Sequence, residues 1–179
     1  GERPLLEYWL ETLHKAGIRK VLVNLHHHAD AVHAFLERSR FNGWVYQVYE
    51  SLLLGTAGTL KANKSFFKDS TTLLIHADNW CQCNLRDFLD YHQFFRPPET
   101  VMTMMTFRTS TPTTCGIVEI DGKGIVRRFH EKTSEPHGNL ANGAVYLLEP
   151  AVLHWTTQAL KANDFSTQVL PEFLGRIET

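Results

Sequence analysis

Thr72-Leu-Leu-Ile-His-Ala-Asp78 is the stretch of sequence that decides the fold. Its apolar residues run almost without interruption, a pattern typical of a short strand that is buried on both faces. Residues 18–25 form a second run of this kind, and segments with helical periodicity lie between the predicted strands. This alternation predicts an α/β fold, with a mixed, mainly parallel sheet flanked by helices.

Start and stop signals place further elements. Pro4 opens a first helix that ends at Gly17, and Asp30 is expected to cap a second helix. The turn sequence Asp121-Gly-Lys-Gly124 separates two extended runs and predicts a β-hairpin. The sequence has no internal repeat and no linker-like stretch, so residues 1–179 are predicted to form a single domain.

The composition argues against several classes of partner. The chain carries 18 Lys and Arg residues against 19 Asp and Glu residues, which gives a net charge of −1. Because a nucleic-acid or anionic-membrane surface requires a basic excess, we expect neither partner. No apolar run approaches the ~20 residues that a membrane-spanning helix requires.

Cysteine and histidine usage gives no sign of a structural metal site. Cys81, Cys83 and Cys115 are odd in number, and the first two are too close in sequence for a zinc knuckle. We therefore expect reduced thiols and a cytoplasmic protein. The histidines at 26–28 are adjacent, so in an extended segment they point to alternate faces, and a loop of solvated imidazoles is favoured over a metal site.

Two glycines and an aspartate follow predicted strands. Gly55 and Gly58 lie between a strand and a helix, where glycine lets backbone N–H groups approach a ligand; the alternative is a simple tight turn. Asp78 ends a buried strand, and ligands gather at the carboxyl ends of strands in open α/β sheets. Its carboxylate could hold Mg²⁺ at phosphate oxygens or could cap a turn.

A second group of candidate residues follows the predicted hairpin. Glu131 could accept hydrogen bonds from sugar hydroxyls and Lys132 could bind a phosphate, although the two could also form an exposed ion pair. Asn142 begins the next strand beside small residues, where an amide could lie against a sugar ring or could serve a turn. This combination indicates transfer of a nucleotidyl group to a phosphorylated sugar.

In order along the chain, these segments resemble the motifs of the sugar-phosphate nucleotidyltransferase family, particularly its mannose-1-phosphate and heptose-1-phosphate guanylyltransferases. The resemblance spans essentially the whole chain. The matching segments are Gly1-Glu-Arg-Pro-Leu-Leu-Glu-Tyr-Trp-Leu10, Glu50 with Leu54-Gly-Thr-Ala-Gly58, His76-Ala-Asp78, Cys115-Gly-Ile-Val118, Glu131-Lys132, Asn142-Gly-Ala-Val-Tyr146 and Asp164-Phe-Ser-Thr-Gln-Val-Leu-Pro171.

The resemblance implies a Rossmann-like fold and a reaction in which the sugar phosphate attacks the α-phosphorus of an NTP, expected to be GTP, and releases pyrophosphate. It implies a homo-oligomer and Mg²⁺ as cofactor, with catalytic roles for Asp78 and Lys132. The implied contacts are Glu50, Leu54, Gly55, Thr56, Ala57 and Gly58 to the nucleotide, Asp78 to the metal, Gly116, Glu131 and Asn142 to the sugar, and Lys132 to its phosphate.

The sequence departs from the family pattern at single positions and at both ends. Ala77 stands where the family has glycine, and Thr133 stands where it has proline. The family's first strand and its triphosphate-binding loop would precede Gly1, and a second metal-binding acid would follow Thr179. The chain is therefore expected to be inactive by itself. A non-catalytic binding or regulatory domain, or a purely structural α/β domain, is the alternative.

Overall fold

The strands that the structure describes form two separate sheets, one in each of two compact units, Gly1–Gly55 and Thr56–Thr179. The structure is a computed structural model and describes residues 3–159 and 161–174. Residues 1–2, which open the first family-like segment, lie outside the described residues, as do residues 160 and 175–179 of the predicted single domain.

The first unit contains two helices and two parallel strands. Pro4 precedes the first helix and Gly17 follows it, as predicted. The second helix starts two residues earlier than predicted: His28, at φ 50°, is its N-cap, and Asp30 lies in its first turn. The elements are α1 (Leu5–Lys15), β1 (Val21–Leu25), α2 (Ala29–Leu36), a 3-10 turn (Ser39–Phe41) and β2 (Val45–Tyr49).

The described residues of the second unit include five strands, which form one sheet with helices against it. The predicted hairpin is present as β5 and β6. The elements are α3 (Gly55–Ala62), α4 (Lys64–Phe67), β3 (Thr72–Ile75), α5 (Leu85–Asp90), β4 (Met102–Arg108), β5 (Ile117–Ile120), β6 (Val126–His130), β7 (Leu140–Leu148), α6 (Pro150–Gln158) and α7 (Leu170–Leu174), with π-helical turns at Tyr91–Phe95 and Phe165–Val169 and a 3-10 turn at Pro112–Thr114.

Strand β7 is the centre of this sheet. β3 pairs with residues 145–148 of β7 and β4 with residues 146–148, so they lie on its two opposite edges. β5 pairs with β7 at Ala141, farther along the edge that β3 also uses, and β6 extends the sheet beyond β5. A register shift between Met104 and Thr106 interrupts the β4–β7 ladder.

The hydrophobic core of the second unit lies between β7 and the helices. Tyr146 and Leu148 of β7 are fully buried, and they pack with buried residues of α3, α6 and α7. Pro150 starts α6 as predicted, because its fixed φ suits the first helical turn and its missing N–H is not needed there. One face of the sheet is thus closed by helices.

The mixed α/β class is confirmed, but the sheet was predicted to be mainly parallel and the strand pairs of the second unit are antiparallel. Among the described strands, β1 and β2 form the single parallel pair, and the pairs made by β3 to β7 are antiparallel. A continuous apolar run indicates burial, but it carries no information about the direction of the neighbouring strand. No helix within the described ranges is long and apolar enough to cross a bilayer.

Candidate functional site

In the first unit, Glu50 directly follows β2 and is held by its own neighbours. Its side chain is buried, and Oε2 accepts a hydrogen bond from the Leu54 N–H at 3.3 Å. Its backbone N–H donates to the Leu25 carbonyl at 2.8 Å, and its carbonyl lies 2.7 Å from Nδ1 of His26. The carboxylate predicted to bind a nucleobase therefore also fixes the loop that leads to Gly55.

The second unit begins with the first turn of α3, the other part of the predicted nucleotide loop. The N–H groups of Ala57 and Gly58 both donate to the carbonyl of Asn163, at 2.9 and 3.2 Å. The Thr56 hydroxyl donates to Oδ2 of Asp164 at 3.3 Å. Two of the backbone donors expected to be available to a ligand are thus already paired in this structure.

Three predicted sugar-binding residues lie next to one another. The Asn142 N–H donates to the Gly116 carbonyl at 2.9 Å. A Cβ atom on Gly116 would lie 3.1 Å from Oε2 of Glu131 and 2.7 Å from Cζ of Phe129, so a larger residue would displace both side chains. The structure therefore brings Gly116, Glu131 and Asn142 together, and only glycine permits this close approach.

Strand β7 is irregular near its middle, at the candidate site. Ala144 has φ 54°, and its N–H donates to Oδ1 of Asn142 at 2.9 Å. Across the strand, a Cβ atom on Gly143 would lie 3.0 Å from the Met105 carbonyl, at the register shift of β4. Such irregularities re-aim side chains and are common near binding sites.

Lys132 extends from this group into solvent. Its φ is 39°, its side chain is 66% exposed, and Nζ lies 3.9 Å from Oε1 of Glu131. An exposed pair at this distance contributes about 0–1 kcal/mol. The geometry accordingly fits both predictions for these residues: an exposed ion pair, and a cation free to turn toward a phosphate.

Asp78 lies in the turn after β3. β3 ends at Ile75, and the His76 N–H continues its pairing by donating to the Ala144 carbonyl of β7 at 3.2 Å. The Asp78 carboxylate is exposed and has no hydrogen-bond partner within the described part of the chain. The described residues contain no group of three or more metal-ligating side chains. Magnesium often uses one or two carboxylates together with substrate phosphates, so an open carboxylate fits this ion.

A buried hydroxyl network supports Asn142, and sequence reasoning did not single it out. The Nδ2 of Asn142 donates to the Tyr146 hydroxyl at 2.6 Å, and this hydroxyl lies 3.0 Å from Oγ of Ser166. Burial raises the pKa of Tyr146, and the carboxylates of Asp164 and Glu131 act in the same direction. The only sequence signal was the presence of these polar residues in segments that resemble family motifs.

The three cysteines are free thiols, and the histidines at 26–28 are exposed. Burial raises the pKa of Cys83 to about 12, and its contact with Cys81 adds to this shift. The Cys81 thiol lies 3.2 Å from Sδ of Met105. A thiol with this pKa is protonated at neutral pH, which makes it a poor nucleophile and a poor metal ligand.

Comparisons with known proteins find a matching family model and similar relatives. The nucleotidyl transferase family model matches residues 1–178. The mannose-1-phosphate guanyltransferase of Pichia angusta is 28% identical over 159 residues, which cover 86% of this chain and 43% of that protein. The mannose-1-phosphate guanylyltransferase catalytic subunit beta of Drosophila melanogaster is 25% identical over 182 residues, which cover 99% of this chain and 48% of that protein.

A solved structure shares the fold. HddC from Yersinia pseudotuberculosis, crystallised in complex with GMP-PN, has a TM-score of 0.75 at 20% identity, over 96% of this chain and 73% of that chain. The chain spans less than half the length of the Pichia angusta and Drosophila melanogaster relatives.

Proposed function

The chain belongs to the nucleotidyl transferase family, and we propose that the full-length protein containing it transfers a nucleotidyl group from an NTP to a sugar 1-phosphate. The products are pyrophosphate and a nucleotide sugar. The observation that carries this proposal is the grouping of Gly116, Glu131 and Asn142 in the second unit, beside the exposed ammonium of Lys132.

We assign the acceptor sugar to this group of residues. Glu131 and Asn142 offer a carboxylate and an amide to sugar hydroxyls, and Gly116 lets the Glu131 side chain lie against its backbone. Lys132 would neutralise the sugar phosphate whose oxygen attacks the α-phosphorus, and its left-handed backbone directs it away from the strand before it. These residues act by positioning and by charge neutralisation.

Asp78 would hold Mg²⁺, which when bound neutralises the charge on the phosphates. The Asp78 carboxylate is open to solvent after β3, so it can take up this ion without breaking an existing hydrogen bond. Asp78 and Lys132 are the residues to which we assign catalytic roles.

We further propose GTP as the donor and a mannose or heptose 1-phosphate as the acceptor. The support is that the two relatives are named mannose-1-phosphate guanyltransferases. Glu50 supports the choice of base: a carboxylate can accept both the N1–H and the N2–H₂ donors of guanine, whereas uracil and thymine offer one donor beside acceptors. The backbone of residues 54–58 would complete the nucleotide side.

A panel that crosses nucleoside triphosphates with sugar 1-phosphates, with pyrophosphate release as readout, tests the proposal on the full-length protein. Turnover restricted to GTP with one sugar 1-phosphate is the expected result. Preference for a pyrimidine triphosphate would contradict the role given to Glu50. Absence of turnover with every pair would contradict nucleotidyl transfer.

The metal assignment is tested by Asp78→Asn in the same protein. Loss of one metal ligand removes several kcal/mol of charge stabilisation, so kcat should fall by about 100-fold or more. Sugar 1-phosphate binding should change much less. The matched control is Asp69→Asn, an exposed aspartate just before the same strand. An Asp78→Asn protein with the kcat of the wild type would refute the assignment.

A non-catalytic nucleotide-sugar-binding domain is the second candidate. Calorimetric binding of a nucleotide sugar by a full-length protein that shows no turnover would select this candidate.

A further inference from the structure

We propose that residues 163–166 hold both groups of substrate-binding residues of the second unit in position. Asp164 fixes the first turn of α3, and Ser166 fixes the Asn142 side chain through the Tyr146 hydroxyl. This inference rests on the proposed function, because it assigns the start of α3 to the nucleotide and Asn142 to the sugar. None of these four residues needs to touch a substrate, so they are positioning residues.

Four hydrogen bonds join this segment to the first turn of α3. The Asn163 carbonyl accepts from the N–H groups of Ala57 and Gly58. Oδ2 of Asp164 accepts from the Thr56 hydroxyl at 3.3 Å, and the Thr56 oxygen accepts from the Phe165 N–H at 2.7 Å. The first turn of a helix has N–H groups without partners inside the helix, so these bonds determine where that turn lies.

Asp164 is itself held in place. Its Oδ1 accepts from the N–H and the hydroxyl of Thr167, both at 2.8 Å, which caps the π-helical turn that leads into α7. Burial favours a higher pKa for Asp164, but the hydrogen bonds from Thr167 and Thr56 outweigh burial and hold the pKa below its usual value. Asp164 is therefore a fixed anion to which the hydroxyl of Thr56 is attached.

On the sugar side, the network runs through buried hydroxyls. Tyr146 is fully buried and Ser166 is 9% exposed, so their contact at 3.0 Å is shielded from water. The Tyr146 hydroxyl in turn accepts from Nδ2 of Asn142 at 2.6 Å, which turns the amide oxygen toward the Ala144 N–H. Leaving such a buried group without its partner costs about 1–3 kcal/mol, so the network resists rearrangement.

Because the two branches start at different side chains, Asp164 and Ser166, they can be broken separately. Loss of the Asp164 carboxylate removes one of the two hydrogen bonds of the Thr56 hydroxyl and the cap of the π-helical turn, but it leaves the pair formed by Tyr146 and Asn142 intact. Loss of the Tyr146 hydroxyl releases Asn142 and leaves the start of α3 attached. The two variants should therefore affect different substrates.

The experiment measures kcat and the KM of each substrate for the full-length protein carrying Asp164→Ala, Asp164→Asn or Tyr146→Phe. Asp164→Ala should raise the KM for the NTP by about tenfold, equivalent to about 1.4 kcal/mol, with a much smaller change for the sugar 1-phosphate. Asp164→Asn should restore only part of the loss, because its one amide oxygen can still accept from the N–H and hydroxyl of Thr167, whereas its NH₂ group replaces the oxygen that accepts from Thr56. Tyr146→Phe should show the reverse split.

The matched control is Asn84→Ala, which removes the cap of α5, where the Asn84 side chain accepts from the Arg86 N–H at 3.1 Å. This variant should lower Tm without a KM split. Equal rises of both KM values in the Asp164 variants, or no change at all, would overturn the inference.

Amide hydrogen exchange separates failure of the inference from failure of the proposed function. Asp164→Ala should speed exchange at Ala57 and Gly58, whereas Asn84→Ala should not. If the wild-type protein has no turnover but this exchange pattern is seen, the proposed function is wrong and the positioning network stands. If exchange at Ala57 and Gly58 is unchanged, the inference is wrong whatever the activity.

Discussion

The two units of this chain contain the same kinds of strand but bury them to different extents. In the first unit, β1 carries Val21, Leu22 and Val23 in succession, yet all three are only half-buried. In the second unit, residues 145–148 of β7 are buried without exception, because β3 and β4 cover both edges and helices cover one face.

The difference shows that the apolar sequence of a strand does not determine how deeply its own unit buries it. A sheet of two strands has little surface with which to cover itself, whereas five strands around β7 provide a closed core. We therefore expect stability and precise geometry to reside in the second unit, where the candidate sugar site also lies.

Separate expression of the units should give the largest effect. The fragment of residues 56–179 should unfold cooperatively, because it retains the whole core around β7. The fragment of residues 1–55 should lack cooperative unfolding, since a two-stranded sheet is marginal at best and the fragment is small. Circular dichroism during heating provides the measurement. A sharp transition in the shorter fragment would break the comparison.

Matched leucine truncations should sharpen the contrast to a single side chain. Leu148 of β7 is fully buried, so Leu148→Ala should lower the free energy of unfolding by about 2–5 kcal/mol. Leu22 of β1 is half-buried, and Leu22→Ala should cost clearly less because fewer contacts are lost. Chemical denaturation of the 179-residue chain measures both. Equal losses would show that β1 is as well packed as β7.

The sequence predicted the elements better than it predicted their surroundings. Pro4, Gly17 and the turn at residues 121–124 place a helix and a hairpin correctly, because these signals act through local backbone geometry. β3 pairs with β7, which lies about 70 residues later in the chain, and no local sequence pattern encodes that this pairing is antiparallel.

The candidate site shows the same limit. The sequence motifs assigned Gly116, Glu131 and Asn142 to one sugar site, and the structure has these three residues next to one another. The buried contact between Tyr146 and Ser166 could not be predicted, because an apolar-patterned strand gives no sign that one of its aromatic residues carries a bonded hydroxyl. The occupied N–H groups of Ala57 and Gly58 likewise depend on Asn163, a residue distant in sequence.

The third prediction concerns Glu7, a buried acid in the first unit. Glu7 of α1 is buried, forms a pair with Arg3 at 3.4 Å and accepts a hydrogen bond from Arg40. The Arg40 hydrogen bond holds the pKa of Glu7 below its usual value, against the opposing effect of burial. Glu7→Gln should therefore lower Tm, because it leaves two arginines without their buried carboxylate.

The control for Glu7 is Glu11→Gln in the same helix, since Glu11 pairs with Arg3 at an exposed position. Exposed pairs contribute little, so this variant should have nearly the wild-type Tm. The Glu7 carboxylate also predicts acid sensitivity: its stabilisation is present above the unfolded pKa and is lost as pH falls through the lower pKa of the folded state. Equal Tm values for the two variants would contradict this account.

The smallest predicted effect compares one buried histidine of the second unit with an exposed one of the first. His92 is buried, with Nδ1 2.7 Å from the Thr103 hydroxyl and Nε2 2.9 Å from Oε1 of Glu149, which also pairs with Arg96. Burial lowers the pKa of His92, and the charge of Arg96 lowers it further, whereas Glu149 raises it. The net direction is downward.

Because the unfolded chain takes up a proton at His92 more readily than the folded one, this stabilisation is complete above about pH 6.5 and is lost as pH falls from there toward the folded pKa. His92→Gln removes this titration while an amide can still donate to Glu149, so its Tm should fall less between pH 7 and pH 5.5 than that of the wild type. His27→Gln is the matched control, because it makes the same substitution at an exposed position. Parallel Tm profiles for the wild type and His92→Gln would show that acid acts elsewhere, with Glu7 as the next group to test.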